Sequence, residues 1–153
     1  LLDETKKNDL LPNLFSIKNA TKLKDYILEH IVEVPPINFN EGGVFKKGIN
    51  KNLDYLRNIR NDKQNEILKM QNNYIECTKV PNLKIKFNNI HGYFIEVTNK
   101  NSEKIQNFDG FKFNLIQNTI NNSRFQTVEL KKASDEIQNA EQDSIILEKK
   151  IIS

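Results

Sequence analysis

The sequence predicts an α+β fold, in which long antiparallel helical coiled-coil arms carry a small antiparallel β-sheet of about four strands at their tip. Three observations lead there. Residues 51–78 hold neither proline nor glycine and repeat by sevens. Leu130, Ala133, Ile137, Ala140, Ser144, Leu147 and Ile151 recur at alternating steps of three and four. Between these stretches the apolar period falls to two, the period of a half-buried strand. The expected organisation is a helical segment and glycine-containing loop over 1–49, paired arms over 50–82 and 127–153, and a β tip over 83–126.

Residues 17–32 read as a helix, with Leu23, Tyr26, Ile27 and Ile31 at helical spacing and Pro35 and Pro36 ending it. The following "INFNEGGVFKKGIN" holds Gly42, Gly43 and Gly48 and reads as a loop with short extended pieces. Asn50 suits the N-cap of the next helix. That helix runs to about Thr78, roughly 27 residues or about 40 Å. Its seam consists of Leu53, Arg60, Ile67 and Tyr74 with Leu56, Lys63, Met70 and Cys77, polar in the middle at Arg60 and Lys63. The C-terminal seam is rich in small residues, which suits close approach. An antiparallel pair puts Leu53 near Ile151, and Tyr74 near Leu130 or Ala133. The last residues, "LEKKIIS", stay within the helical repeat with neither cap nor glycine, as in a piece of a longer protein.

Four strands are expected between the arms. Leu83, Ile85 and Phe87 alternate with Lys84, Lys86 and Asn88; Tyr93, Ile95 and Val97 alternate with Phe94, Glu96 and Thr98. Phe111, Phe113 and Leu115 alternate with Lys112, Asn114 and Ile116, and "SRFQT" over 123–127 is the shorter fourth. Gly92 lies between two strands, where a turn can use its positive φ. Asn121-Asn122 suits a hairpin turn, because asparagine tolerates positive φ.

Composition narrows the function classes. The chain has 153 residues, with 23 Lys and Arg against 20 Asp and Glu, a net charge of +3. That excess permits a polyanionic partner without demanding one. The apolar runs are too short to span a bilayer, and "LLDETKKNDL" lacks a signal-peptide core. The single cysteine, Cys77, forms no intramolecular disulfide, so a cytoplasmic location is expected. Its seam position makes it a small buried hydrophobe. His91 has no histidine, cysteine or carboxylate partner at ligand spacing, which points to a turn or surface role. "GGVFKKG" lacks phosphate-loop spacing, and no GxGxxG or GxSxG occurs.

The order "EGGVFKKGINKNLDYLRNIR", a helix, "VPNLKIKFNNIHGYFIEVT", then "IQNTINNSRFQTVELKKASDEI" resembles the MutS family of DNA mismatch-repair proteins. Gly42, Gly43, Gly48, Asn50, Leu53 and Asp54 fit the first block of the family pattern. Leu83, Lys84, Ile85, Phe87, Asn88, Gly92, Tyr93, Phe94, Ile95, Glu96 and Val97 fit the second. Gln117, Asn121, Arg124, Phe125, Thr127, Glu129 and Leu130 fit the third. The resemblance runs collinearly from about residue 17 and covers the clamp region with adjoining parts of the lever and core.

This resemblance implies a part of a dimer that encircles mismatched DNA, with clamp tips that grip the sugar-phosphate backbone without reading sequence. The mismatch-wedging phenylalanine and glutamate and the ATPase belong to other domains. The chain is therefore expected to be non-catalytic and without a cofactor of its own, ATP and Mg belonging to the parent protein. Double-stranded DNA and a second MutS subunit are the implied partners, with no membrane, in a bacterial cytoplasm and associated with the nucleoid. Arg124 and Asn121 match backbone-facing family positions. Asn118 and Asn122 are candidates beside them, with Lys84, Lys86, Lys100 and Lys112 as supporting cations. Ile116 and Ile120 stand where relatives often carry Arg or Lys. Two or three neutralised phosphates would then give a log-log salt slope of about −2 to −3. The alternative is a structural coiled-coil stalk or protein-interaction module that does not bind DNA.

Overall fold

A computed structural model describes the backbone of residues 4–153 and the side chains of residues 17–153. The fold is α+β. Helix α1 spans Glu4–His30, α2 spans Lys51–Thr78, α3 spans Asn99–Gln106 and α4 spans Val128–Ile152. Strands β1 (Lys84–Asn88), β2 (Gly92–Thr98), β3 (Asn114–Asn118) and β4 (Asn122–Gln126) form one antiparallel sheet in the order β1-β2-β4-β3. None of the described helices is long and apolar enough to cross a membrane.

Helix α2 begins where its cap chemistry says it should. The Asn50 side chain accepts from the Asn52 and Leu53 N–H groups at 2.9 and 3.1 Å. The helix ends as Lys79 turns left-handed, with φ 56°, two residues before Pro81. Thr127 caps α4 by accepting from the Leu130 N–H at 3.1 Å. The same hydroxyl lies 2.8 Å from the Tyr74 hydroxyl, joining the end of α2 to the start of α4.

The two long helices pack antiparallel. Arg57 pairs with Glu148 at 2.9 Å, Arg60 with Glu141 at 3.7 Å and Lys63 with Glu136 at 2.8 Å, so residue numbers rise along one helix as they fall along the other. Leu53 shares a small cluster with Leu147 and Ile151, and Tyr74 shares the main core with Leu130 and Ala133. The polar middle of the α2 seam is thus filled by charge pairs rather than left as a gap. The ammonium of Lys63, held by Glu136 and then Glu66, titrates above the usual lysine range. Cys77 departs from expectation: it is exposed, and Thr78 is buried in its place. A straight helix drifts by about 20° per heptad against a strict repeat of seven, enough over this length to carry the seam past Cys77.

A buried carboxylate closes the far end of this helix pair. Glu148 is 1% exposed; it accepts from the Val44 N–H at 3.0 Å and from Arg57 at 2.9 Å. Arg57 also donates to the Phe45 carbonyl at 2.9 Å. The glycine-containing loop is thereby tied to both helices, with Val44 and Phe45 packed beside Leu53.

Helix α1 stops at His30 rather than running to residue 32. The reason is a competing partner: Val32 donates to the Val44 carbonyl and Lys46 to the His30 carbonyl, and Ile31 pairs with Phe45 as an isolated bridge. Ile31 joins the small cluster, while Leu23, Tyr26 and Ile27 of the same stripe are exposed.

Three features of the tip differ from expectation. Helix α3 occupies a stretch, "NKNSEKIQ", with one strong apolar anchor, the fully buried Ile105; tertiary packing overrides a weak local pattern. The third strand starts at Asn114 rather than Phe111. Phe111 and Phe113 instead stand edge-on to Tyr74, with ring centroids 5.1 and 5.4 Å away. The β3–β4 turn is built on Thr119, whose N–H and hydroxyl both donate to the Asn122 carbonyl at 2.8 Å. Neither Asn121 nor Asn122 takes positive φ; among described non-glycine residues only Lys79 does.

Gly92 does take positive φ, at 68°, and a second reason holds it there. A Cβ at this position would collide with the Ser134 hydroxyl and lie 2.7 Å from Gln138 Nε2 on α4. The neighbouring Tyr93 N–H donates to the Ser134 hydroxyl at 3.0 Å. His91 belongs to the turn before it, where its N–H and that of Ile90 donate to the Asn88 side chain.

Candidate nucleic-acid interface

Strand alternation divides the sheet into an inner and an outer face. Ile85, Ile95, Val97 and Phe125 point inward and join the main core with Leu83, Ile105, Phe113 and the helix residues. The register then fixes the outer face. Lys84 lies opposite Glu96, Lys86 opposite Phe94, Glu96 opposite Arg124 and Thr98 opposite Asn122. Residues far apart in sequence therefore form one surface group.

A bulge brings in a further member. Between Leu115 and Gln117 the β3–β4 register shifts, so Leu115 faces Phe125 while Gln117 faces Arg124. The extra residue, Ile116, reverses which side the next residue meets. Gln117 thereby reaches the outer face, where its amide oxygen accepts from Arg124 Nη1 at 2.7 Å.

Glu96 is the centre of the group. Its side chain is 9% exposed and receives Lys86 Nζ at 2.5 Å on one oxygen and Arg124 Nε at 3.0 Å on the other. The Lys86 hydrogen bond, and then that of Arg124, hold its carboxyl below the usual carboxylate range against the opposing effect of burial. The Arg124 guanidinium carbon stands 4.8 Å from the centre of the Phe94 ring, a cation–π contact that covers an aromatic on the outer face. Beside this network is a shallow hollow of about 190 Å³, lined by Asn82, Lys84, Lys86, Glu96, Thr98 and Asn122 among others.

The candidates from sequence separate into three sets. Arg124, Lys84, Lys86 and Asn122 come together on the outer face. Asn118 and Asn121 lie at the β3–β4 turn, both exposed, and Asn121 uses its carbonyl to accept from the Asn99 N–H at 3.0 Å. Lys100 is exposed in the first turn of α3 and Lys112 is exposed ahead of β3; neither lines the hollow. Arg124 is not the free cation that sequence suggests: its Nε and one Nη1 hydrogen are already engaged. Its side chain remains 25% exposed, and that of Lys86 51%. Glu96 and Gln117 are the residues that sequence reasoning left out of the site. The signal for Glu96 was a carboxylate in a strand beside one that carries two lysines, but its meaning depends on register.

Three cations against one carboxylate leave this face with an excess of two positive charges. Lysine retains two unused N–H donors after one hydrogen bond and arginine three after two, so the group can still donate to an anion. No cluster of three or more His, Cys, Asp or Glu that could hold a metal occurs among the described residues.

The model of MutS family domain IV matches residues 48–143. The DNA mismatch repair protein MutS of Parabacteroides distasonis is 38% identical over 133 residues, covering 86% of this chain and 15% of that protein. The protein of the same name from Staphylococcus carnosus is 39% identical over 150 residues, 97% of this chain and 17% of the relative. That from Methanosarcina barkeri is 34% identical over 152 residues, 99% of this chain and 16% of the relative. The chain spans about a sixth of the length of these curated relatives. The region matched by the family model takes in α2, the whole sheet and the first part of α4, and the chain belongs to the MutS family of DNA mismatch-repair proteins.

Proposed function

We propose that this chain is a clamp that holds double-stranded DNA by its sugar-phosphate backbone, without reading sequence, as part of a mismatch-repair MutS protein. Helices α2 and α4 act as coiled-coil arms and the sheet is the tip that meets the duplex. What carries this reading is the gathering of Lys84, Lys86 and Arg124, with the amides of Asn122 and Gln117, on one solvent-facing side of the sheet. Contacts of this kind neutralise phosphates and set register on the duplex but carry no base information. Asn118 and Asn121 extend the donor row at the β3–β4 turn, and Lys100 and Lys112 add charge at its margins.

The clamp is non-catalytic. ATP and Mg are used by other parts of the parent protein, in the cytoplasm on nucleoid DNA. A second MutS subunit supplies a second clamp, and tethering the two raises the avidity that one lacks.

Fluorescence anisotropy with two labelled duplexes of unrelated sequence tests the proposal. Both should bind equally, with a Kd of about 10⁻⁴ to 10⁻⁶ M and a log-log salt slope of about −2 to −3. The competing reading, a structural stalk that never touches nucleic acid, draws on one observation: Lys86 and Arg124 both already pair with Glu96. Absence of binding at about 20 mM salt, where screening is weak, would favour the stalk.

A further inference from the structure

The outer face carries a feature that backbone gripping does not need. A surface built only to attract phosphate would leave its cations unpaired, yet here a nearly buried carboxylate sits between two of them. Glu96 holds Lys86 Nζ at 2.5 Å and Arg124 Nε at 3.0 Å, one oxygen each, as two oxygens of a phosphate would. Lys84, opposite Glu96 in the register, makes no ion pair with any described residue.

We propose that Glu96 is an internal competitor for phosphate that sets the strength with which this face grips a nucleic-acid backbone. The inference rests on the clamp reading above. It follows from where the carboxylate stands. Its β2 position lies between β1 and β4, so it cannot swing out of the face as a flexible surface glutamate could. Any phosphate that takes up the remaining donors of Lys86 or Arg124 binds cations already partly neutralised by Glu96 and comes within roughly 5 Å of its charge. Repulsion between two unit charges at that distance weakens binding about fourfold in bulk water before screening by salt, and more where water is excluded. The arrangement also keeps the two cations in place when no anion is bound. Arg124 is held on three sides, by Glu96, Gln117 and the Phe94 ring. The face is therefore pre-arranged and deliberately weak.

The test compares the full 153-residue wild-type chain with Glu96→Gln, Glu96→Asp and the control Asp135→Asn, using one labelled duplex at about 20 to 200 mM salt. Gln keeps the size and an acceptor for Arg124 but removes the charge. Affinity at 20 mM should rise about threefold or more. The salt slope should steepen by about 0.9 for one further neutralised phosphate, a further loss of about 3.5-fold between 50 and 200 mM. Asp keeps the charge and supports folding if Gln does not, but withdraws the carboxylate by one methylene and frees the donors, so its affinity should fall between wild type and Gln. Asp135 is exposed on α4, so Asp135→Asn alters net charge equally, away from the face. Its effect should be smaller than that of Gln.

Tightening by Asp135→Asn equal to that by Glu96→Gln overturns the proposal. So does a wild type that binds while neither Glu96 variant binds more tightly, and in that case the clamp reading survives. If neither the wild type nor the variants bind at 20 mM, the clamp reading fails and takes this inference with it.

Discussion

Truncating Glu148 to alanine should loosen the end of the helix pair remote from the sheet. The carboxylate is 1% exposed and joins three chain segments: α4 itself, the Val44 N–H at 3.0 Å and Arg57 at 2.9 Å. Removing one member of a buried pair typically costs about 3–5 kcal/mol, because the other charge is left uncompensated. Here the remaining partner is not fully trapped. The Arg57 side chain is 22% exposed, keeps the Phe45 carbonyl at 2.9 Å and lies 3.7 Å from Asp54. The lower end of the range, about 3 kcal/mol, is therefore expected, part of it from the Val44 N–H losing a charged acceptor. For a chain of this length that corresponds to a fall in Tm of about 6–12 °C. Glu148→Gln keeps an acceptor for Val44 and should cost about half as much. Urea titration followed by circular dichroism measures both. A Glu148→Ala stability within about 0.5 kcal/mol of wild type, at an unchanged m-value, would refute the idea that this ion pair holds the loop to the helices.

Two further predictions concern the sheet. Gly92→Ala should cost about 2–4 kcal/mol in the same titration, combining a left-handed backbone strain of about 1–2 kcal/mol with crowding against Ser134 and Gln138; a change below 0.5 kcal/mol would show that α4 yields easily there. Acid should weaken the wild type through Glu96, whose folded carboxyl titrates lower than in the unfolded chain. A depressed carboxyl contributes its full stability above its unfolded pKa of about 4.3 and loses it as pH falls through the folded value. The stability advantage of wild type over Glu96→Gln should therefore shrink steadily below about pH 4.3, and a gap that stays constant down to pH 3 would contradict the pairing with Lys86 and Arg124.

The long elements were legible because their signals are local. Asn50 and Thr127 cap helices through side chains a few residues from the backbone groups they serve, and the absence of proline and glycine over 51–78 leaves the helix uninterrupted. Pairing was legible from matching seams, down to Leu53 with Ile151 and Tyr74 with Leu130. The limits appear where two distant segments must meet. Cys77 against Thr78 depends on a drift of a fraction of a turn accumulated over the whole helix. Ile105 becomes an anchor only because the core offers it a place.

The candidate site divides along the same line. Side-chain type and resemblance singled out Arg124 and the lysines, since charge is a property of each residue alone. Their grouping is a property of register. The antiparallel ladder sets Lys84 and Arg124 either side of Glu96, and one extra residue at Ile116 turns Gln117 toward Arg124. By itself, the order of residues determined the paired long helices, the two strands on either side of Gly92, which seams match and where positive charge is available, but not helix α3 or the start of β3. Only the tertiary structure decided which of those charges are already answered by a carboxylate. Hydrogen bonds act over about 3 Å, and side chains dozens of residues apart come that close only once the strands have paired.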